Sequence, residues 1–189
     1  IPRAVAAIHG VSPLLPGMLR WRGPESWECF LGEQRDHTFQ RHQRIVQLLA
    51  EIGSRAVRGG LPLVPLKGAA LHDIGIYQPG ERPMSDIDLL VKSTDLQATS
   101  RLLGTCGYRE SFTNWKHSVF KPDATSDPIG FGEHAHNPIT IEVHARVGER
   151  LPVVDQDVTA FVFPAQPCAG LNSYPSTASL MIHLLLHAT

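Results

Sequence analysis

Asp86 and Asp88 stand one residue apart in SDIDLLV, residues 85–91, at the entrance to an apolar run. Side chains of a strand alternate between faces, so the two acids share one face while Ile87, Leu89 and Val91 share the other. The apolar face explains a strand; it does not explain the acids. Two carboxylates about 6 Å apart repel by ~3 kcal/mol at an effective dielectric near 20. A divalent cation between them removes that cost, and Mg²⁺ (or Mn²⁺) suits hard oxygen ligands shared with substrate phosphates. The competing reading is an exposed strand end whose acids face water, and the tripeptide taken alone favours it.

A second acidic strand shifts that balance. In TIEVHARV, Thr140, Glu142 and His144 alternate with Ile141, Val143 and Ala145. If this strand neighbours the first, three carboxylates converge, as is needed to hold two divalent ions against a phosphoryl centre. A third element is LKGAAL, residues 66–71, a strand running through a glycine turn into a helix. Such a turn presents backbone N–H groups to an anion, and Lys67 adds a point charge. It is not the GxxxxGK[ST] loop, and a glycine after a strand is ordinarily just a turn.

The order and spacing of PLKGAALHDIGIYQPGERPMSDIDLLV, then GY, then IEVH resemble the nucleotidyltransferase superfamily typified by DNA polymerase beta. More narrowly they resemble a bacterial group of uncharacterised nucleotidyltransferases, over roughly residues 45–147. The resemblance implies that Asp86 and Asp88 bind the metal and that Glu142 supplies the third carboxylate, as base or metal-bridging group. It implies that the turn at Lys67, Gly68 and Ala69 holds the triphosphate of an NTP such as ATP, with Ser85 beside it. Arg82 falls at the group's arginine and is expected to neutralise phosphate charge. Gly-Ala stands where the superfamily usually has Gly-Ser, so a phosphate-contacting hydroxyl is missing. The implied reaction is Mg²⁺-dependent transfer of an NMP group to an unidentified acceptor: a small molecule, a peptide or protein, or an RNA end.

Two other readings remain. One is a nucleotide- or partner-binding protein without catalysis on the same scaffold. The other is a metal hydrolase in which His134 and His136 join Glu142 and His144. His144 is also a candidate for orienting the site from behind its ligands. Asp73, Arg101, Lys116 and His117 read as solvated surface, and Tyr108 and Trp115 as core. His183 and His187 read as packing with a polar edge.

The elements that must position these groups follow from periodicity. Residues 1–24 read as an irregular lead-in with one short helix, and Glu25–Arg58 as a helix stopped by Gly59-Gly60. LPLVPLKG reads as a short strand that Pro65 makes an edge or irregular. ALHDIGIY gives a helical turn or two, DIDLLVK a strand, and Asp95–Leu103 a helix capped by Ser93 or Thr94. GYRES, KHSVFK and TIEVHARV are strands, 122–138 is a long excursion, FVFP is loop or strand, and SLMIHLLLHAT is an uncapped helix. The fold class is therefore α+β: a mixed sheet with helices packed on it, and helical elements at both ends. We divide the chain into an N-terminal region 1–60, a catalytic core 61–150, and a C-terminal segment 151–189 that ends inside a helix.

Composition agrees with that class. Of 189 residues, 42% are hydrophobic and 19% charged, enough for a core. A formal charge of −1 offers no broad basic field for long nucleic acid. Three scattered cysteines suggest free thiols and a reducing, cytoplasmic setting, and no stretch reads as a signal peptide or membrane span.

Overall fold

The computed structural model describes residues 2–20, 23–124, 129, 132–150 and 154–187. Residues 125–128, 130 and 131 of the expected long excursion, and residues 188–189 of the expected last helix, lie outside the described residues.

A mixed six-stranded sheet forms the centre, in the order β3-β4-β5-β2-β1-β8. Its strands are β1 (Pro62–Pro65), β2 (Asp86–Leu90), β3 (Tyr108–Thr113), β4 (Ser118–Pro122), β5 (Thr140–His144) and β8 (Gly170–Leu171). β1 runs antiparallel to β2 and parallel to β8, β2 runs parallel to β5, and β3, β4 and β5 are antiparallel neighbours. The short hairpin of β6 (Gly148–Arg150) and β7 (Asp155–Asp157) forms a second sheet.

Pro65 ends β1 irregularly rather than placing it at the edge. Leu66 N–H donates to the Asp88 carbonyl at 2.9 Å, so the N atom of Pro65 faces the opposite side, beyond the reach of two-residue β8. There its missing donor is not needed.

One face of the sheet carries the main core. Leu63, Ile87, Leu89, Val91, Phe120, Ile141 and Val143 pack with Ile45, Ile52 and Ala56 of α3 (Glu25–Gly59) and Leu102 and Leu103 of α5 (Leu96–Thr105). α3 starts with Glu25 and Glu28 in its first turn, where acids complement the helix dipole. It stops at Gly60, whose φ of 67° is the left-handed C-cap that glycine adopts without strain. Val64, Leu66 and Leu90 face the other way, onto Val147, Val158 and Val162. The described lead-in holds two short helices, α1 (Pro2–Ile8) and α2 (Leu15–Met18). α4 (Lys67–Asp73) follows β1, and α7 (Thr177–His187) closes the described chain.

FVFP is neither loop nor strand at its start: Phe161 and Val162 belong to α6 (Thr159–Val162). Asp157 accepts from both the N–H and the hydroxyl of Thr159, and that local cap starts a helical turn despite the β-prone residues.

Between buried Leu31 and Ile45 the inward face of α3 is polar, carrying Gln34, Thr38 and Arg41. Arg41, 3% exposed, donates to the carbonyls of Met84 (2.8 Å), Ser85 (3.0 Å), Asn137 (2.6 Å) and Pro138 (2.9 Å). Those carbonyls immediately precede β2 and β5, so one guanidinium fixes the entrances of both acidic strands. Gln34 exchanges hydrogen bonds with the backbone of Glu133, and Arg44 donates to Ala135 and Asn137. Arg41→Met should strand four carbonyls and destabilise the fold by about 3–5 kcal/mol in urea unfolding. Arg41→Lys should rescue little, because a single ammonium cannot span both strand entrances.

Candidate active site

The acids are brought together by the parallel pairing of β2 with β5. Asp88 lies opposite Glu142, and Asp86 opposite Thr140. All three carboxylates therefore project from the face that turns away from Ile87, Leu89, Ile141 and Val143. Asp88 is 5% exposed, while Asp86 and Glu142 are half-buried nearer the opening.

So much negative charge on one face demands cations. Lys67 Nζ lies 2.9 Å from Asp88 Oδ1, and His144 Nε2 lies 2.8 Å from the same oxygen and 3.6 Å from Glu142 Oε2. Burial alone would push Asp88 up, but the His144 hydrogen bond and the Lys67 ammonium outweigh it and hold the carboxyl at about 2. The neighbouring His144 ring also draws Glu142 below the usual carboxylate range. Burial opposes a charge on His144, yet its hydrogen bond to Asp88 and the neighbouring Glu142 carboxylate raise it, favouring the imidazolium.

His117 completes the ring of groups. The hairpin between β3 and β4 turns on Asn114, whose side chain accepts from the N–H groups of Lys116 (2.7 Å) and His117 (2.9 Å). Continuing the register of β4 against β5 sets His117 opposite His144, with ring centroids 5.1 Å apart. Its Nδ1 lies 3.4 Å from Glu142 Oε2.

The turn after β1 borders the same space. Lys67 takes a left-handed φ of 45°, uncommon for a residue with a side chain, and this conformation accompanies the ammonium's approach to Asp88. At Gly68 an added Cβ would come within 2.5 Å of Arg82 Nη1 and 2.8 Å of Met84 Sδ. The glycine thus admits the arginine side chain, which also lies over the Tyr77 ring at 5.5 Å. Ala69 is buried in the first turn of α4 and lines a neighbouring cavity. Ser85 is exposed beside Asp86, whose charge it helps to favour.

A family of uncharacterised nucleotidyltransferases matches residues 3–189. The chain belongs to that family. The fold is also similar to a candidate nucleotidyltransferase of Thermotoga maritima, at 14% identity and a TM-score of 0.47, over 77% of this chain and 86% of that one. A structure of Cid1 in complex with the UTP analog UMPNPP aligns at 16% identity and a TM-score of 0.31, over 57% of this chain and 30% of that one. No curated protein matches the chain significantly.

In this member of the nucleotidyltransferase family, the donor set suits a hard divalent ion. Burial and the neighbouring charges of Asp88 and Glu142 push Asp86 up, and Lys67 and Ser85 offset this only in part. Carboxylate oxygens whose charge the protein's own cations leave incompletely balanced are what Mg²⁺ or Mn²⁺ binds.

Several residues fall elsewhere. His134 lies against His37 of α3 (4.4 Å between centroids) and His136 (5.5 Å), away from Glu142. Among the described residues, one group of three His, Cys, Asp or Glu side chains has its ligand atoms all within 4.8 Å of one another: His117, Glu142 and His144; the carboxylates of Asp86, Asp88 and Glu142 share a face but are more widely spaced. Asp73 and Arg101 are exposed, Tyr108 is buried in the core, and Trp115 is 52% exposed rather than core. The strand alternation of β4 does not extend visibly through the Asn114 turn, so His117 read as surface. Tyr174 was missed altogether: its hydroxyl sits 2.6 Å from His183 Nδ1 and accepts from Lys67 N–H at 3.4 Å. Burial holds His183 at about 4, leaving a neutral imidazole beside that hydroxyl. His187 is half-exposed, 3.9 Å from Glu149. Among the described residues, no helix is long and apolar enough to cross a membrane.

The depressed Asp88 pKa sets a pH dependence. Its stabilisation is complete above the ordinary value of 3.8 and is lost as pH falls toward about 2. Between pH 5 and pH 3, urea unfolding should show the wild type losing about 1 kcal/mol more than Asp88→Asn. Equal losses would mean that Asp88 titrates normally.

Proposed function

We propose that this chain transfers an NMP group from an NTP to a hydroxyl or another nucleophile of an acceptor, releasing pyrophosphate. The observation that carries the reading is the register of β2 against β5, which sets Asp88 beside Glu142 with Asp86 on the same face. Membership of the nucleotidyltransferase family supports the reaction class.

Asp86, Asp88 and Glu142 would hold Mg²⁺ (or Mn²⁺), which when bound neutralises phosphate charge and eases loss of the acceptor's proton. Glu142, kept ionised by His144, accepts that proton as the acceptor oxygen bonds to the α-phosphorus. The bond from the α-phosphorus to the bridging oxygen breaks, and pyrophosphate carries that electron pair away. The turn at Lys67, Gly68 and Ala69 holds the triphosphate with Arg82 and Ser85, and Lys67 moves from Asp88 to phosphate when the nucleotide enters. Tyr174, held by His183, supports the backbone of that turn. Positioning and electrostatics then supply most of the acceleration.

A cavity of about 700 Å³ adjoins α4; Ala69 of the phosphate turn lines it with His42, Met84, Tyr174 and Leu180, while Asp86, Asp88, Glu142 and Lys67 do not, so it is room for the far end of a nucleoside or small-molecule acceptor rather than for the reacting atoms. A peptide, a protein or an RNA end is the other class of acceptor this reaction serves. The near-neutral net charge disfavours long nucleic acid. A cytoplasmic setting is consistent with three free cysteines.

A second reading rests on Asp88 Oδ1, which Lys67 and His144 both already occupy. That arrangement also suits a scaffold that binds a nucleotide or a partner without turnover.

In lysate with α-labelled NTPs, the wild type should label an acceptor in the presence of Mg²⁺. Asp86→Asn and Asp88→Asn, checked for folding by circular dichroism, should lose at least ~100-fold. Nucleotide binding with equal or absent labelling by all three proteins would favour the second reading.

A further inference from the structure

We propose that His117, Glu142 and His144 form a binding site for a borderline divalent metal ion of the Zn²⁺ or Co²⁺ class, distinct in donor chemistry from the all-oxygen aspartate pair. One ligand atom from each residue lies within 4.8 Å of the others. Glu142 Oε2 is 3.4 Å from His117 Nδ1 and 3.6 Å from His144 Nε2. Four ligands around zinc at ~2.0–2.1 Å stand roughly 3.3–3.4 Å apart, so both imidazoles already sit near the spacing that the ion imposes.

His117 Nδ1 carries a second, independent sign. It is shielded from solvent and has no hydrogen-bond partner, although it lies near the Glu142 carboxylate. A shielded nitrogen without a partner costs stability unless something accepts its lone pair or its proton. A metal ion would accept the lone pair. The Asn114 turn holds the histidine there before any ion arrives, since the Asn114 side-chain oxygen accepts from the backbone N–H groups of both Lys116 and His117. Asp88 Oδ1, 2.8 Å from His144 Nε2, is within reach as a fourth ligand.

The donor set determines which ion binds. Mg²⁺ takes oxygen and rarely sheds water for imidazole, whereas two imidazoles and a carboxylate favour Zn²⁺, Co²⁺ and their neighbours. On binding, the proton on His144 Nε2 is released, and Lys67 remains to neutralise Asp88. Because Glu142 is shared, the ion and the transfer reaction compete for it. That consequence rests on the proposed function; the binding itself does not.

The test therefore uses metal-stripped, tag-free protein without nucleotide. Zn²⁺ binding is followed by equilibrium dialysis, and Co²⁺ binding by its visible absorption. The wild type should take up one ion per chain with the intense bands of four-coordinate Co²⁺, and excess Mg²⁺ should not displace it. His117→Ala, at a hairpin turn outside both hydrophobic clusters and so expected to fold, should weaken binding by at least ~10-fold and abolish the intense bands. Asp86→Asn and His134→Ala should leave the Co²⁺ spectrum unchanged. Weak six-coordinate bands in the wild type, displacement by Mg²⁺, or loss of binding in His134→Ala with retention in His117→Ala would overturn the site.

Discussion

Concentrating three carboxylates on one face of two parallel strands is the constraint from which the rest of this architecture follows. Each acid is tolerable alone in water, but together and half-buried they repel strongly. The protein meets that cost with Lys67 from the turn after β1, His144 from β5 itself and Arg41 from α3. Lys67 and His144 neutralise Asp88 directly. Arg41 instead binds the carbonyls at the entrances of β2 and β5, so that the strands meet in the register that sets Asp88 against Glu142.

The division of labour between the two faces of the sheet is equally physical. Ile87, Leu89, Ile141 and Val143 anchor β2 and β5 against α3 and α5, which gives the acids a rigid base. The opposite face is apolar only at the far end, around Val64, Leu66 and Leu90, and becomes polar toward Asp86. A one-residue slip of either strand would bury the acids in the main core, so the apolar pattern fixes the chemistry by fixing the register.

The acidic strands were legible in the sequence because both of their faces carry a clear alternation, and the long helix because its apolar residues recur every three or four positions. β8 was not legible. Two residues carry no pattern, and their pairing depends on Gly53 of α3, where an added Cβ would come within 3.1 Å of Leu171. α6 was hidden for a local reason, since the Asp157 cap overrides β-prone residues. Arg41 carries no local signal, because nothing nearby in sequence reveals carbonyls more than forty residues away. His117 and Tyr174 were hidden in the same manner: each reaches the site through long-range packing.

The central claim is that the Asp86, Asp88 and Glu142 face is a divalent-ion and triphosphate site, with Lys67 as its exchangeable internal cation. Anomalous diffraction from crystals grown with Mn²⁺ and an NTP analogue that cannot be cleaved at the α-phosphorus tests this most directly. The account predicts a manganese peak bonded to carboxylate oxygens of Asp86 and Asp88, with Lys67 Nζ moved onto the triphosphate. A triphosphate bound elsewhere, or an ordered nucleotide beside an intact Lys67–Asp88 pair with no manganese between the aspartates, would contradict it.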